Sequence, residues 1–285
     1  MTLFQQLPLS RFVVDRAAHL RAGDDNLFEG ARTLVLVVHD HSVPVTDDLS
    51  LMWVKPNALN LDAQSFAKNG VLLGADENHD FFAIVNEAAT VAPVAWAHLR
   101  EVGAQLSAHD VGLAVTAVAM SQWHATHTHC PRCGGTTRVV QLGWARMCDA
   151  DQTEHYPRTE PAMIVAVNDA AGRILLGRRA GWQEGWFSTL AGFVEAGESA
   201  EACVLREVKE ESGIDLDPET MRYLGSQPWP YPASLMLGYR VQAITCEIAH
   251  DEQEMAQVQW FTREEFEADC ASGALRLPEI GRAHV

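Results

Sequence analysis

Apolar residues recur along positions 200 to 212 with the three-to-four-residue spacing of a helix that packs on one side, and Val204, Leu205 and Val208 share that side. Ser199 is placed to cap the first turn, and Glu201 falls where the helix dipole is positive. Gly213 sits where helices commonly exit through the left-handed conformation, so the pattern predicts one helix over 200–212. The adjoining sector carries Glu207, Glu210 and Glu211 within a wedge of roughly 100°. Earlier in the chain, short apolar runs at 33–38, 71–73 and 81–85 predict strands. Residues 110–123 predict a helix with Val111, Val115 and Val118 on a common side. Two further runs, 163–167 and 174–177, flank a polar turn at 168–172 and predict a hairpin that begins a mixed sheet. The mixture of elements predicts an α/β (α+β) protein.

Carboxylates at i, i+3 and i+4 on an exposed helix repel by a few tenths of a kcal/mol per pair, so the arrangement gains nothing unless a cation sits against it. Hard oxygen donors of this kind suit Mg²⁺ or Mn²⁺, which is typically held by one or two carboxylates together with substrate phosphates. The competing reading is a solvated acidic helix.

Residues 226–234 read Ser-Gln-Pro-Trp-Pro-Tyr-Pro-Ala-Ser, in which Pro228, Pro230 and Pro232 fix φ and remove backbone donors. This predicts a stiff extended loop presenting Trp229 and Tyr231 to a flat heterocycle, or else a turn that packs its own aromatics. A third pattern, Cys130-Pro-Arg-Cys133 followed by Cys148, has the spacing of a zinc ribbon, where thiolates on tight turns build a tetrahedral site. Asp151, His129, Asp149 and His155 are the nearby candidates for a fourth ligand. Cys203, Cys246 and Cys270 are scattered and read as buried small hydrophobes.

The string Gly192, Glu198, Arg206, Glu207, Val208, Glu210, Glu211, Gly213 and Ile214 resembles the Nudix box at every fixed position. The proline-aromatic segment is similar to the array that follows that box in the NADH pyrophosphatase family, with Tyr231 in place of the usual phenylalanine. The resemblance covers residues 126 to 285 well and the earlier part loosely. It implies a Nudix α/β/α sandwich with a mixed sheet at 159–285, a zinc ribbon at 126–158 and a divergent α/β domain at 1–125. The ribbon's fourth cysteine is replaced here by Asp151.

The resemblance further implies a metal shell of Glu207, Glu210 and Glu211 completed by the Ala191 carbonyl and Glu254, which lies six residues before Trp260. Arg206 would orient Glu207 or a neighbour through a bidentate contact, and Glu198 would assist a metal-bound water. Tyr156 and Phe193 would stack on bases. Gln227, Pro228, Trp229, Pro230, Tyr231, Pro232, Ala233 and Ser234 would line the dinucleotide site, with Arg100 and Gly281 as further substrate contacts. The implied reaction is hydrolysis of NADH or NAD⁺ to AMP and the nicotinamide mononucleotide, and a homodimer is the common family state. Removal of an NAD cap from RNA 5′ ends at the same site, a general nucleotide-sugar or ADP-ribose hydrolase, and a non-catalytic nucleotide sensor are the alternatives.

Composition narrows this little. A chain of 285 residues, 47% hydrophobic and 21% charged, is long enough for two domains with substantial cores. No apolar run approaches the roughly 18 residues needed to cross a bilayer, and the first residues lack a signal-type pattern, so the expected location is cytoplasmic, where ribbon thiols stay reduced. The net charge of −17 argues against general nucleic-acid binding, which rests on clustered Lys and Arg. It also repels an anionic dinucleotide, so cations and local arginines must offset it at the site.

Overall fold

The computed structural model describes residues 7–22, 30–59, 63–85, 95–250 and 253–277. By its contacts the chain groups into two units. One comprises residues 8–159 together with 229–233; the other comprises 1–7, 160–228 and 234–285.

In the first unit, β1 (Thr33–Val37), β2 (Ser42–Val45), α1 (Ala63–Asn69), β3 (Gly70–Ala75), β4 (Asp80–Ile84), β5 (Ala95–His98), α2 (Leu99–Val102) and α3 (Ala108–Thr126) follow one another. β1 pairs parallel with β4 and β3 antiparallel with β4, and β2 pairs antiparallel with β5. The helix expected over 110–123 runs longer, because Ser107 caps it by accepting from the Asp110 N–H. Burial extends beyond the side carrying Val111, Val115 and Val118: Leu113, Ala114 and Ala117 are buried as well. Asp110, Thr116, Ser121 and His124 are buried too, so the helix is packed nearly all round rather than amphipathic.

The ribbon follows as β6 (Thr137–Val140), β7 (Ala145–Cys148) and β8 (Glu154–His155), a three-stranded antiparallel sheet. Arg146 on β7 is buried without a carboxylate partner. Its guanidinium is satisfied by the Thr137 hydroxyl at 2.8 Å, the Thr137 carbonyl at 2.9 Å and His124 Nδ1 on α3 at 3.0 Å.

The second unit contains β9 (Glu160–Asn168), β10 (Ile174–Arg179), β11 (Leu190–Phe193), α4 (Ala200–Ser212), β12 (Leu216–Trp229), β13 (Ser234–Ala243), β14 (Met255–Phe261) and α5 (Arg263–Ser272). The sheet order is β12-β13-β9-β10-β14, with β11 also on β9; β13 runs parallel to β9 and the β10–β14 pair is antiparallel. The expected β9–β10 hairpin is present but short. The two antiparallel strands meet at the pair Asn168–Ile174 across the turn, and on its other side β10 pairs with β14 from Ile174 to Arg179. Local turn signals placed the bend correctly but could not show that a strand some 80 residues on would occupy the edge.

The sheet is covered on both faces. Along β10, Leu175 joins a core with Met163, Val165, Val204 and Val208, whereas Ile174 and Leu176 join another with Phe187, Phe261 and, from α5, Phe266. Alternation along a strand sends neighbours to opposite faces, so α4 and α5 lie on opposite sides and the unit is an α/β/α sandwich. Burial of Val204 and Val208 contributes roughly 1.5–3 kcal/mol each and fixes the roll of α4, which decides where its glutamates point.

Candidate active site and ribbon metal centre

Helix α4 starts at Ser199, whose hydroxyl accepts from the Ala202 N–H at 3.1 Å, and ends at Gly213 with φ of 76°. A Cβ at Gly213 would sit 2.7 Å from the Ala249 carbonyl, so glycine is required for space as well as for conformation.

One turn in from the apolar stripe, Arg206 is the hub of the acidic cluster. Its Nε and Nη2 form a fork on Glu198 at 2.9 Å each, while Nη1 reaches Glu207 at 2.9 Å and Glu210 at 3.0 Å. Nη2 also donates to the Phe193 carbonyl at 3.1 Å. The bidentate contact expected for Glu207 or a neighbour therefore goes to Glu198, across the loop, and Glu207 and Glu210 receive single bonds. That fork holds Glu198 down to about 2, and the three carboxylates push the Arg206 guanidinium up. Glu198 also accepts from the Glu195 N–H at 2.9 Å, so it is committed on both oxygens and tied into the loop geometry.

Glu207 lies against Gly192 on β11. A Cβ on Gly192 would overlap the Glu207 carboxylate, so the bare backbone is what admits that side chain.

Glu211 differs from its neighbours in being 3% exposed. Burial pushes its carboxyl up to about 7, opposed by Arg179 and reinforced by the charges of Glu207 and Glu254. Its Oε1 accepts from Arg179 Nη2 at 3.3 Å, and its Oε2 is buried with no partner. The same Arg179 nitrogen donates to the Ala191 carbonyl at 2.8 Å. Two candidate metal donors, one from β11 and one from α4, thus converge on a single cationic atom. Arg179 was not singled out by the sequence; its one signal is a basic pair, Arg178-Arg179, ending an apolar strand. Glu254 enters the same neighbourhood through the β10–β14 register, Arg179 pairing with Met255 and the Ala180 N–H bonding the Glu254 carbonyl at 3.0 Å.

The other expected substrate residues are spread between the units. In the second unit, Phe193 is 56% exposed, a free ring face beside the acidic cluster, and Gln227 and Ser234 are buried. In the first unit, Tyr156 is 60% exposed and donates its hydroxyl to Glu154. The stiff extended loop expected over 226–234 is a correction: β12 continues through Trp229 and a turn closes over Pro230–Ala233, with the Tyr231 N–H bonding the Trp229 carbonyl at 2.8 Å. The prolines stiffen a strand end and its turn rather than a free loop.

Within the first unit that turn is gripped by aromatic and cationic side chains. Arg100 lies over the rings of Tyr231 at 4.6 Å and Trp229 at 5.2 Å. His98 stacks on Tyr231 with centroids 5.6 Å apart and planes 19° apart, and His41 tilts against the same ring at 5.2 Å. His41 and His98 were not read from the sequence, because nothing local in their segments signals a partner so far along the chain. Gly281 lies outside the described residues.

At the ribbon, the sulfurs of Cys130, Cys133 and Cys148 and an Asp151 carboxylate oxygen lie within 4.8 Å of one another. Cys133 and Cys148 sulfurs are 3.5 Å apart, and Cys130 Sγ is 3.8 Å from Asp151 Oδ2. Asp151 Oδ1 is taken by the Thr153 hydroxyl at 2.6 Å and the Thr153 N–H at 3.0 Å, which hold the carboxyl well below its ordinary range and leave Oδ2 toward the sulfurs. The rival fourth donors are committed elsewhere: Asp149 to Arg138 and Thr136, His155 to Thr153, and His129 to Thr128. Among the remaining cysteines, Cys203 is buried as expected, but Cys246 is exposed and Cys270 half-buried. Among the described residues no helix is long and apolar enough to cross a membrane.

Comparison with known proteins agrees with these features. Three families match consecutive stretches: the NADH pyrophosphatase-like rudimentary NUDIX domain at 27–123, the NADH pyrophosphatase zinc ribbon domain at 125–156 and the NUDIX domain at 158–278. The chain is 42% identical over 176 residues to the NAD-capped RNA hydrolase NudC of Mycobacterium bovis (strain BCG / Pasteur 1173P2), covering 61% of this chain and 56% of that one. It is 37% identical over 170 residues to the human NAD-capped RNA hydrolase NUDT12, covering 56% of this chain and 36% of that one. The match therefore spans about half, or less, of the length of these relatives. Among solved structures, a NUDIX hydrolase from Nitrosomonas europaea shares 18% identity with a TM-score of 0.42 over 53% of this chain and 97% of that one.

Proposed function

Because the chain belongs to the Nudix hydrolases of NADH pyrophosphatase type, we propose that it hydrolyses the diphosphate bond of NADH or NAD⁺ to AMP and the nicotinamide mononucleotide. The observation that carries the reading is the convergence of Glu211 Oε1 and the Ala191 carbonyl on one Arg179 nitrogen, beside an orphaned Glu211 Oε2. A buried unpaired carboxylate oxygen beside a shared cationic atom fits a divalent cation. Ala191, Glu207, Glu210, Glu211 and Glu254 would hold Mg²⁺ or Mn²⁺. When bound, such an ion screens the diphosphate charge and lowers the pKa of a water that attacks phosphorus.

The chain's own residues do the rest. Arg206 fixes Glu207 and Glu210 by hydrogen bonds and leaves each a free oxygen, so the carboxylates are aimed before substrate arrives. Glu198, held anionic by the Arg206 fork, braces the loop that leads into α4. Glu211, the buried carboxylate of the cluster with an unpartnered oxygen, is placed to accept the proton of the attacking water. Arg179, which here donates to the Ala191 carbonyl and Glu211, would be free to contact a phosphoryl oxygen if those donors held a cation, a contact of the bidentate kind arginine favours.

Phe193 and Tyr156 present ring faces to bases, and Trp229, Tyr231 and Arg100 offer a stacked aromatic and cationic surface to a flat ring. Gln227, Pro228, Pro230, Pro232, Ala233, Ser234 and Gly281 complete the substrate set. Cys130, Cys133, Cys148 and Asp151 hold structural Zn²⁺, three soft thiolates and one oxygen around one point. The domains run 1–125, 126–158 and 159–285, and the working form is a cytoplasmic homodimer.

A second reading, removal of an NAD cap from RNA 5′ ends, uses the same bond and is favoured by the names of the relatives, which are NAD-capped RNA hydrolases. Comparison of kcat/KM for free NADH and an NAD-capped oligoribonucleotide separates the two. Release of AMP and nicotinamide mononucleotide from NADH with Mn²⁺ supports the reading; no turnover of either compound, or cleavage restricted to nucleotide sugars or ADP-ribose, refutes it. Binding without turnover would make the protein a sensor.

A further inference from the structure

We propose that His98 is a positioning residue for substrate binding at the Trp229–Tyr231 surface, by fixing Arg100 and Tyr231 through two different contacts. The inference rests on the assignment of that surface to base recognition. Three observations within the first unit carry it.

First, His98 ends β5 and caps α2: its Nδ1 accepts from the Arg100 N–H at 3.1 Å. An accepting Nδ1 places the ring proton on Nε2 and fixes the ring's orientation. Second, the same ring lies nearly parallel to Tyr231, and a half-buried Tyr231 is thereby clamped between His98, His41 and the Arg100 guanidinium. One imidazole thus fixes the backbone of Arg100 and the ring on which the Arg100 side chain rests. Third, among the described residues the Arg100 guanidinium makes no hydrogen bond and no ion pair, and its side chain is exposed. Stacking spends its flat face and leaves its donor edge open to an oxygen of the substrate.

His41 supports the arrangement from β2. Its carbonyl accepts from the Leu99 N–H at 2.9 Å, and its ring lies 5.5 Å from that of His98. The first unit therefore carries this surface on the strand β5, the short helix it starts and the 229–233 turn, all within that unit.

The two contacts of His98 are separable. His98→Asn keeps a side-chain acceptor for the Arg100 N–H and removes the ring; His98→Phe keeps the ring and removes the acceptor. The full-length, zinc-loaded protein is assayed with NADH, with thermal denaturation as the control for folding. Each variant raises KM for NADH by about five- to tenfold with kcat within about twofold of wild type, and combining both losses in His98→Ala raises it further. If His98→Asn does not fold, His41→Leu, which removes the tilted ring contact alone, gives the smaller rise of about two- to fourfold. An unchanged KM in both His98 variants, or a loss in kcat with KM unchanged, overturns the inference while leaving the hydrolase reading intact. A wild-type protein that does not turn over NADH overturns both.

Discussion

Glu211→Gln separates what the side chain does for the reaction from what it costs the fold. The carboxyl is 3% exposed, its Oε2 has no partner, and burial raises it from 4.5 to about 7. A folded-state value above the unfolded one means that folding is favoured with the group protonated. The contribution is fully present below about pH 4.5 and is lost as pH rises through 7. At about 1.4 kcal/mol per tenfold, the loss amounts to about 3 kcal/mol at alkaline pH, an order-of-magnitude figure. Glutamine keeps the shape and an acceptor for Arg179 and carries no charge to desolvate. Without added Mg²⁺ or Mn²⁺ at about pH 8.5, the variant is therefore more stable than wild type by about 2–3 kcal/mol, a rise in Tm of about 4–10 °C for a unit of this size. The difference shrinks toward about pH 5. NADH turnover falls by about 10²–10⁴-fold. Differential scanning calorimetry across pH, with product release assayed on the same preparation, reads both. Equal or lower stability of the variant at alkaline pH, or activity within a few-fold of wild type, would refute the reasoning.

Three other substitutions probe separate parts. Gly192→Ala places a methyl where the Glu207 carboxylate lies and lowers kcat by more than about 10²-fold while the sheet persists; a variant with normal turnover shows that Glu207 sits elsewhere. Tyr231→Phe removes a buried hydroxyl that has no partner and leaves the ring stack, so stability stays level or rises by about 1 kcal/mol and KM is unchanged. A clear loss of stability would mean that the hydroxyl is satisfied. Asp151→Cys supplies a fourth thiolate, so zinc measured by emission spectrometry survives a chelator concentration that empties wild type; equal retention argues that Asp151 is not a ligand.

Where a property is local, the sequence carries it. The limits of α4 follow from Ser199 and Gly213, and the three glutamates follow from its apolar stripe, because each depends on residues within a turn or two. The Glu198–Arg206 fork was partly legible: the residues were known, but which carboxylate takes the fork depends on the loop path. Arg179 was invisible, since its contacts to Ala191 on β11 and Glu211 on α4 arise from tertiary packing across 12 and 32 residues. The same holds for the pairing of β10 with β14, a strand far along the chain, and for His41 and His98 against Tyr231. α3 was legible as a helix with Val111, Val115 and Val118 on one side, but three valines say nothing of the other sides, which are buried as well.

The most direct test of the account is a crystal of the protein grown with Mn²⁺ and a non-hydrolysable NAD analogue, read by anomalous scattering. The account predicts manganese peaks bounded by Glu207, Glu211 and the Ala191 carbonyl, with the analogue's bridging phosphates on the opposite side and Arg179 withdrawn from Glu211. An analogue bound elsewhere, or glutamates that carry no manganese while the analogue is in place, would contradict it.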